Sequence, residues 1–376
     1  MIRKVGLILV PVAVIGLLVT ASPAYAHGAD APDATNYRVT ITAQPALVGV
    51  EVRTIEAGAR LQLTNHSGRN VEVLGYQNEP YLEIRPDGVY QNYHSPAAYL
   101  NITIAHVDPP THADPTVPPV WQKVSDEPMY RWHDQRVLWT APRPPGDPKQ
   151  PHHVRDWTVP MRVDALPLTL AGSLDWVPPP SPWPWWLAAI AGALAIAALG
   201  FSRWATAPMA VLCGGAGVLG LTYAVARERD AGNDTFGAIV GQLVTAQLWT
   251  TVTSLAALAA AVYALTRWLG RTRGDGDFAL ALGGAAAALF AGMTNAAVFH
   301  RSIAPLPWSA GTGRGVIVAV IALGAGVSLA AMLRLRGTTP VRPPDGYPSP
   351  EQPASDSPTT SPQRATPSTE RSPRPT

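Results

Sequence analysis

Hydrophobic and polar positions change their rhythm three times along the chain. Arg3 and Lys4 precede an apolar run over residues 5–19, and Ala24-Tyr25-Ala26 follows it. A positive start, an apolar centre and a small-x-small site predict a secretory signal peptide over residues 1–26, cleaved so that His27 becomes the N-terminus. Residues 27–182 contain no long apolar run. Apolar and polar residues instead alternate in short stretches at 37–42, 50–53, 60–64 and 70–74, and again at 99–105, 130–139, 157–163 and 168–176. This period of two, punctuated by Gly, Asn and Pro, predicts an all-β domain of the immunoglobulin-like sandwich type. From Trp183 the chain turns to Ala, Gly, Leu and Val, with apolar runs at about 185–201, 207–226, 241–266, 278–299 and 315–333. Each approaches the roughly 20 residues that span a bilayer, so residues 183–336 are expected to be a domain of five transmembrane helices. Residues 337–376, rich in Pro, Ser and Thr, lack the apolar area to fold and are expected to be a disordered tail.

Charge adds an orientation. The net charge of +2 over 376 residues is a cancellation: residues 27–182 hold 12 basic and 17 acidic side chains, and the remainder is net +7. An acidic exported domain argues against a nucleic-acid partner. Loops on one side of the spans hold Arg203, then Arg267, Arg271 and Arg273, then Arg334 and Arg336. Loops on the other side hold Arg227 and Arg229, offset by Glu228 and Asp230, with Arg301 and Arg314. The Lys/Arg bias predicts a multi-pass protein of the cell membrane, with an extracytoplasmic β domain and a cytoplasmic tail. Trp183, Trp185 and Trp186 stand at the first span's entry, where an aromatic belt meets the lipid interface. No ionisable residue falls in the middle of a span, which disfavours an ion-coupled transporter. Gln247, Thr250, Thr251 and Asn295 are read as interhelical hydrogen-bonding groups.

Candidate chemistry is sparse. There is no phosphate-binding loop, no nucleophile elbow, no HExxH and no CxxC pair, so a non-enzymatic binding role is expected. All nine histidines fall on the outer side. His27 at a cleaved terminus would offer an α-amino and an imidazole nitrogen to a metal. With His133, His152 and His153 it forms the candidate metal set, and nitrogen donors point to copper. Two further segments supply candidate binding residues: Glu79 and Tyr81 within residues 75–96, and Arg131, Trp132, Asp134 and Arg136 within RWHDQR. If the second is a strand, Arg131, His133 and Gln135 share one face, and Trp132, Asp134 and Arg136 the other. An Asp–Arg bridge bracing a loop-rich domain is the plainer reading of that segment.

The stretch GYQNEPYL, continuing through PDGVYQN to SPAAYLN, together with RWHDQR and GSLDWVPPP, resembles a group of exported membrane proteins from actinobacteria. In that group the second motif reads RWHDHR, so Gln135 stands where a histidine is usual. The resemblance implies the topology rather than an activity. Export of a small β domain ahead of membrane helices is also similar in architecture to the CopC–CopD copper-resistance proteins. The expected partners are the lipid bilayer and an envelope protein. The competing classes are a metal-free structural or interaction protein of the envelope and a small-molecule transporter.

Overall fold

A computed structural model describes residues 33–104, 108–141, 145–270 and 274–338. The expected signal peptide, His27 and the tail beyond Thr338 lie outside these residues. The described residues up to Gly337 form one compact unit.

Ten strands come first. They are β1 (Tyr37–Ala43), β2 (Val50–Ile55), β3 (Arg60–Asn65), β4 (Val71–Leu74) and β5 (Pro80–Arg85). After them come β6 (Gly88–Asn92), β7 (Trp121–Ser125), β8 (Met129–Trp132), β9 (His152–Val163) and β10 (Leu166–Trp176). One antiparallel sheet has the order β1-β10-β9-β4-β5-β6-β7, and a second has the order β2-β3-β8. The alternation seen in the sequence becomes burial: Val159, Met161 and Val163 of β9 point inward, as do Leu170 and Leu174 of β10. They share one core with Val52, Leu61 and Leu63 of the smaller sheet and with Trp132 and Trp157.

Of two further stretches read as strands, one is not a strand and the other is a strand only over its first three residues. Of the stretch 99–105, the described residues 99–104 fall in a single helical turn, α1 (Ala97–Leu100), and the bend after it. Pro96, with φ −54°, is already in helical geometry and starts that turn. Residues 130–139 leave the sheet at Trp132. Asp134 accepts the Arg136 backbone N–H at 3.1 Å, and its own carbonyl accepts that of Val137 at 3.0 Å, so the chain turns. The alternating faces expected for 131–136 therefore stop after Trp132.

The helices follow as α2 (Trp183–Ala197), α3 (Thr206–Asp230), α4 (Phe236–Leu243), α5 (Leu248–Leu269), α6 (Gly274–Ala286) and α7 (Ala310–Thr338). Beyond α6 the backbone widens to a π-turn over Ala287–Gly292 and tightens to 3₁₀ over Met293–Phe299. Five segments are long and apolar enough to cross a membrane: Trp183–Phe201, Thr206–Asp230, Leu248–Leu269, Asp275–Phe299 and Ala310–Arg336. Leu187, Val211, Val218, Leu255, Val262 and Leu282 stand exposed around the bundle, as a bilayer environment requires. The third span begins at Leu248 rather than 241, because α4 is a separate helix, capped by the Thr235 hydroxyl. The second span runs past residue 226 and carries Arg227 and Glu228 into a buried final turn. Arg227 donates to Asn295 Oδ1 at 2.8 Å, and Glu228 accepts from Gln247 Nε2 at 3.1 Å. Gln247 and Asn295 thus tie helix to helix and Thr250 Oγ1 lies 3.5 Å from the Phe290 carbonyl oxygen, whereas Thr251 Oγ1 has no hydrogen-bond partner among the described residues.

A β-bridge joins Thr35 to Ile303, each N–H reaching the other's carbonyl at 2.8 Å, and the Ser302 N–H reaches Asn36 Oδ1 at 2.9 Å. These bonds fix the first strand's approach to the loop after the fourth span. Within the bundle, α6 and α7 touch backbone to backbone. A Cβ on Gly284 would lie 2.6 Å from the Gly324 carbonyl oxygen, and one on Gly324 equally close to that of Gly284. Gly324→Leu is therefore expected to lower the melting temperature of the detergent-solubilised protein, by an overpacking cost of about 1–3 kcal/mol. Gly315→Ala, where an added Cβ meets open space, is expected to leave it unchanged.

Candidate functional site

The segments around residues 75–101 and 131–136 meet although they lie in different sheets. After β8 the RWHDQR turn folds against the β4–β5 hairpin. Arg136 grips Asp134 through Nε at 2.8 Å and a terminal nitrogen at 2.7 Å, and it also donates to the Leu74 and Gly75 carbonyls. The Asp134 side chain is fully buried and accepts the Trp132 indole N–H at 3.1 Å as well. Its guanidinium partner lies over the Tyr76 ring at 4.9 Å. The Tyr76 hydroxyl donates to Asn101 Oδ1 and accepts the Gln135 backbone N–H at 3.0 Å. Glu79 is occupied elsewhere, accepting from the Ser95 hydroxyl and the Gln77 N–H at 2.8 Å each. Glu79, Asp134 and Arg136 are thus the brace of this region.

In front of the brace lies a cavity of about 460 Å³. Its aromatic lining comes from Tyr81, Tyr93, Tyr99, Tyr130 and Trp132. The polar lining consists of the amides of Gln91, Asn101 and Gln122, the guanidiniums of Arg60 and Arg131, and the imidazole of His133. Tyr81 and Trp132 are buried and form the wall, whereas Tyr93 and Ile102 are exposed at its edge. Burial raises the Tyr81 hydroxyl well above the ordinary tyrosine range, so it stays protonated as a neutral hydrogen-bonding group. His133 Nδ1 faces the Ala59 carbonyl oxygen at 2.9 Å, and Nε2 accepts from Arg60 Nε at 3.0 Å. These partners assign a neutral ring protonated on Nδ1, and the ring holds Arg60 in place.

Arg131 belongs to the cavity and to the junction with the bundle. It donates to Gln62 Oε1 and Asn233 Oδ1 at 3.0 Å each and to the Gly232 carbonyl at 2.6 Å. Gly232 has φ +81°, and an added Cβ would fall 2.4 Å from Gln62 Oε1, so only glycine lets the sheet's side chains this close. Beside it, the β2–β3 hairpin tip is left-handed at Glu56 (φ 57°), Ala57 (φ 56°) and Gly58 (φ 90°). Such backbone costs about 1–2 kcal/mol for each non-glycine residue. The strained tip directs the Ala57 N–H onto Asp230 Oδ2 at 3.0 Å, at the end of α3. Arg53 reaches Asp234 at 2.8 Å alongside.

Of the residues singled out by sequence, Tyr81, Arg131, Trp132 and His133 line the cavity. His152 and His153 stand at the start of β9 with other partners. His152 Nδ1 lies 2.9 Å from the Gln150 carbonyl oxygen, and His153 Nδ1 lies 3.0 Å from Asp175 Oδ1. Among the described residues no group of three His, Cys, Asp or Glu side chains is placed to hold a metal ion. Arg60, Asn101, Gln91 and Gln122 escaped the sequence reading. Arg60 sits in an ordinary-looking strand, whereas the closely spaced tyrosines of GVYQNYHSPAAYLN were the available signal.

Asp134→Ala is expected to lower unfolding free energy by about 3–5 kcal/mol, because Arg136 would remain buried without its partner; chemical denaturation measures it. A second expectation concerns pH. Burial raises the Glu56 carboxyl above its ordinary value of 4.5, against the pull of Arg60 and Arg131. The folded protein then binds the proton more tightly than the unfolded chain, so this group's contribution to stability falls as pH rises from 4.5 through the folded value. Glu56→Gln should remove that decline in a series of thermal melts. No family model, curated protein or solved structure matches the chain, so analogy of fold carries no weight for its activity.

Proposed function

We propose that this is a non-enzymatic binding protein of the cell envelope. Its β domain, an immunoglobulin-like sandwich in the sense of two antiparallel sheets over one core, faces outward on five membrane helices and takes a small ligand in the cavity. The observation that carries this reading is convergence. Two sequence segments from different sheets, braced by the buried Asp134–Arg136 pair, supply one cavity of about 460 Å³, within the range of small-molecule sites. Its lining offers aromatic faces and hydrogen-bonding groups but no carboxylate, serine or cysteine, which favours binding over acid–base or nucleophilic catalysis. The arginines at 203, 267, 334 and 336, at the end of the bundle away from the sheets, support the outward orientation, and the sequence adds Arg271 and Arg273 to the same inter-span loop as Arg267. Copper handling rests on His27, and nothing among the described residues adds to it.

One labelling experiment tests orientation and binding together. Cys213, the single cysteine, is buried and gives little background. Ile102→Cys at the cavity edge is expected to react with a membrane-impermeant maleimide in intact cells. Phe201→Cys, at the far end of the first span, should react only after permeabilisation. Compounds that enter the cavity should slow the reaction at position 102 in a library of small polar molecules. Reaction at 201 but not 102 in intact cells overturns the orientation, and the absence of protection across the library overturns the binding role.

A further inference from the structure

We propose that the cavity's ligand is a saccharide bearing a carboxylate, such as a uronic-acid disaccharide. This rests on the cavity being the binding site. The lining combines tyrosine rings with planar amides, and only Ala98 and Ile102 are aliphatic. A purely apolar ligand would strand those amides without partners, which costs about 1–3 kcal/mol for each. A pyranose matches both features, because its C–H faces lie on aromatic rings and its hydroxyls give and take hydrogen bonds around the edge. Asn101, 5% exposed, accepts the Tyr76 hydroxyl at Oδ1 and is thereby fixed in the lining.

The carboxylate follows from Arg60. Arg131 uses all three of its nitrogens on Gln62, Asn233 and Gly232, so it has little left for a ligand. Arg60 is different. Its Nε is held by His133 at 3.0 Å and lies 3.3 Å from Glu56, whereas its two terminal nitrogens make no hydrogen bond among the described residues. No Asp or Glu lines the cavity to neutralise a visiting cation, and Glu56, outside the lining, meets Arg60 only at Nε. A guanidinium fixed at Nε presents its remaining donors as a fork, the geometry that a carboxylate matches with two parallel bonds. Neutral His133 acts here as a positioning residue.

The test uses the full chain in nanodiscs, with tryptophan fluorescence and ligand-observed saturation-transfer NMR as readouts. The probes are digalacturonic acid, its methyl ester, cellobiose and 4-hydroxyphenylacetate. Digalacturonic acid is expected to bind saturably, and roughly ten- to hundredfold more tightly than its methyl ester, the worth of one charge-assisted hydrogen bond. Arg60→Gln should abolish that difference, and a cooperative thermal melt of the variant reports that the fold is intact. Equal affinity for acid and ester overturns the carboxylate. Binding of 4-hydroxyphenylacetate without any sugar overturns the saccharide class but leaves the cavity as a binding site. Failure of all four probes overturns the inference. The binding role itself is then judged separately by whether any library compound protects position 102.

Discussion

A polar group buried at the edge of a membrane bundle has little water to turn to, and that constraint organises this molecule. Helix α3 ends in Arg227-Glu228-Arg229-Asp230, and the first two of these are buried. Each needs a partner within the protein. Arg227 takes Asn295 from the fourth span, at the 3₁₀ turn that follows the π-turn. Glu228 takes Gln247 from the start of α5 and Asn233 from the following loop. Asp230 takes the backbone of a left-handed hairpin tip from the sheet domain. Arg227, Glu228 and Asp230 therefore lock three spans together and set where the sheets sit.

The second consequence is that the cavity is not an isolated feature of the sheet domain. Asn233 bonds both Glu228 and Arg131, so a chain of charge-assisted hydrogen bonds runs from the bundle into the cavity wall. Gln62 completes it by accepting from Arg131 on a neighbouring strand. Placing one wall of the cavity against the bundle's end holds that wall in position. The opposite end is closed in a similar way. There Arg334 pairs with Asp277 at 2.8 Å and reaches Thr206 at 2.9 Å, joining three helices near their other termini.

Differences between pattern and structure follow from the same competition between local preference and distant contacts. The strand expected over 130–139 stops at Trp132 because Asp134 is recruited to close a turn around Arg136 and to cap the Trp132 indole. The 99–105 stretch alternates well enough for a strand, but Pro96 already sets a helical turn that places Asn101 beside Tyr76. The third span starts late because Gln247 is drawn to Glu228, and α4 is left as a separate helix beside it.

The sequence by itself determined the antiparallel sheets ahead of five membrane-length helices, because alternation and unbroken apolar length are local properties of the chain. It also singled out the residue 75–96 and RWHDQR segments, whose composition is unlike generic scaffold. Only the tertiary structure decided that these segments share one cavity, that Glu79, Asp134 and Arg136 brace it, and that Arg60 and Asn101 face it. Residues 60 and 133, 76 and 101, or 57 and 230 are brought together by sheet pairing and by docking on the bundle. Contacts at such separations leave no periodic trace in the chain, since each depends on where every intervening element comes to rest.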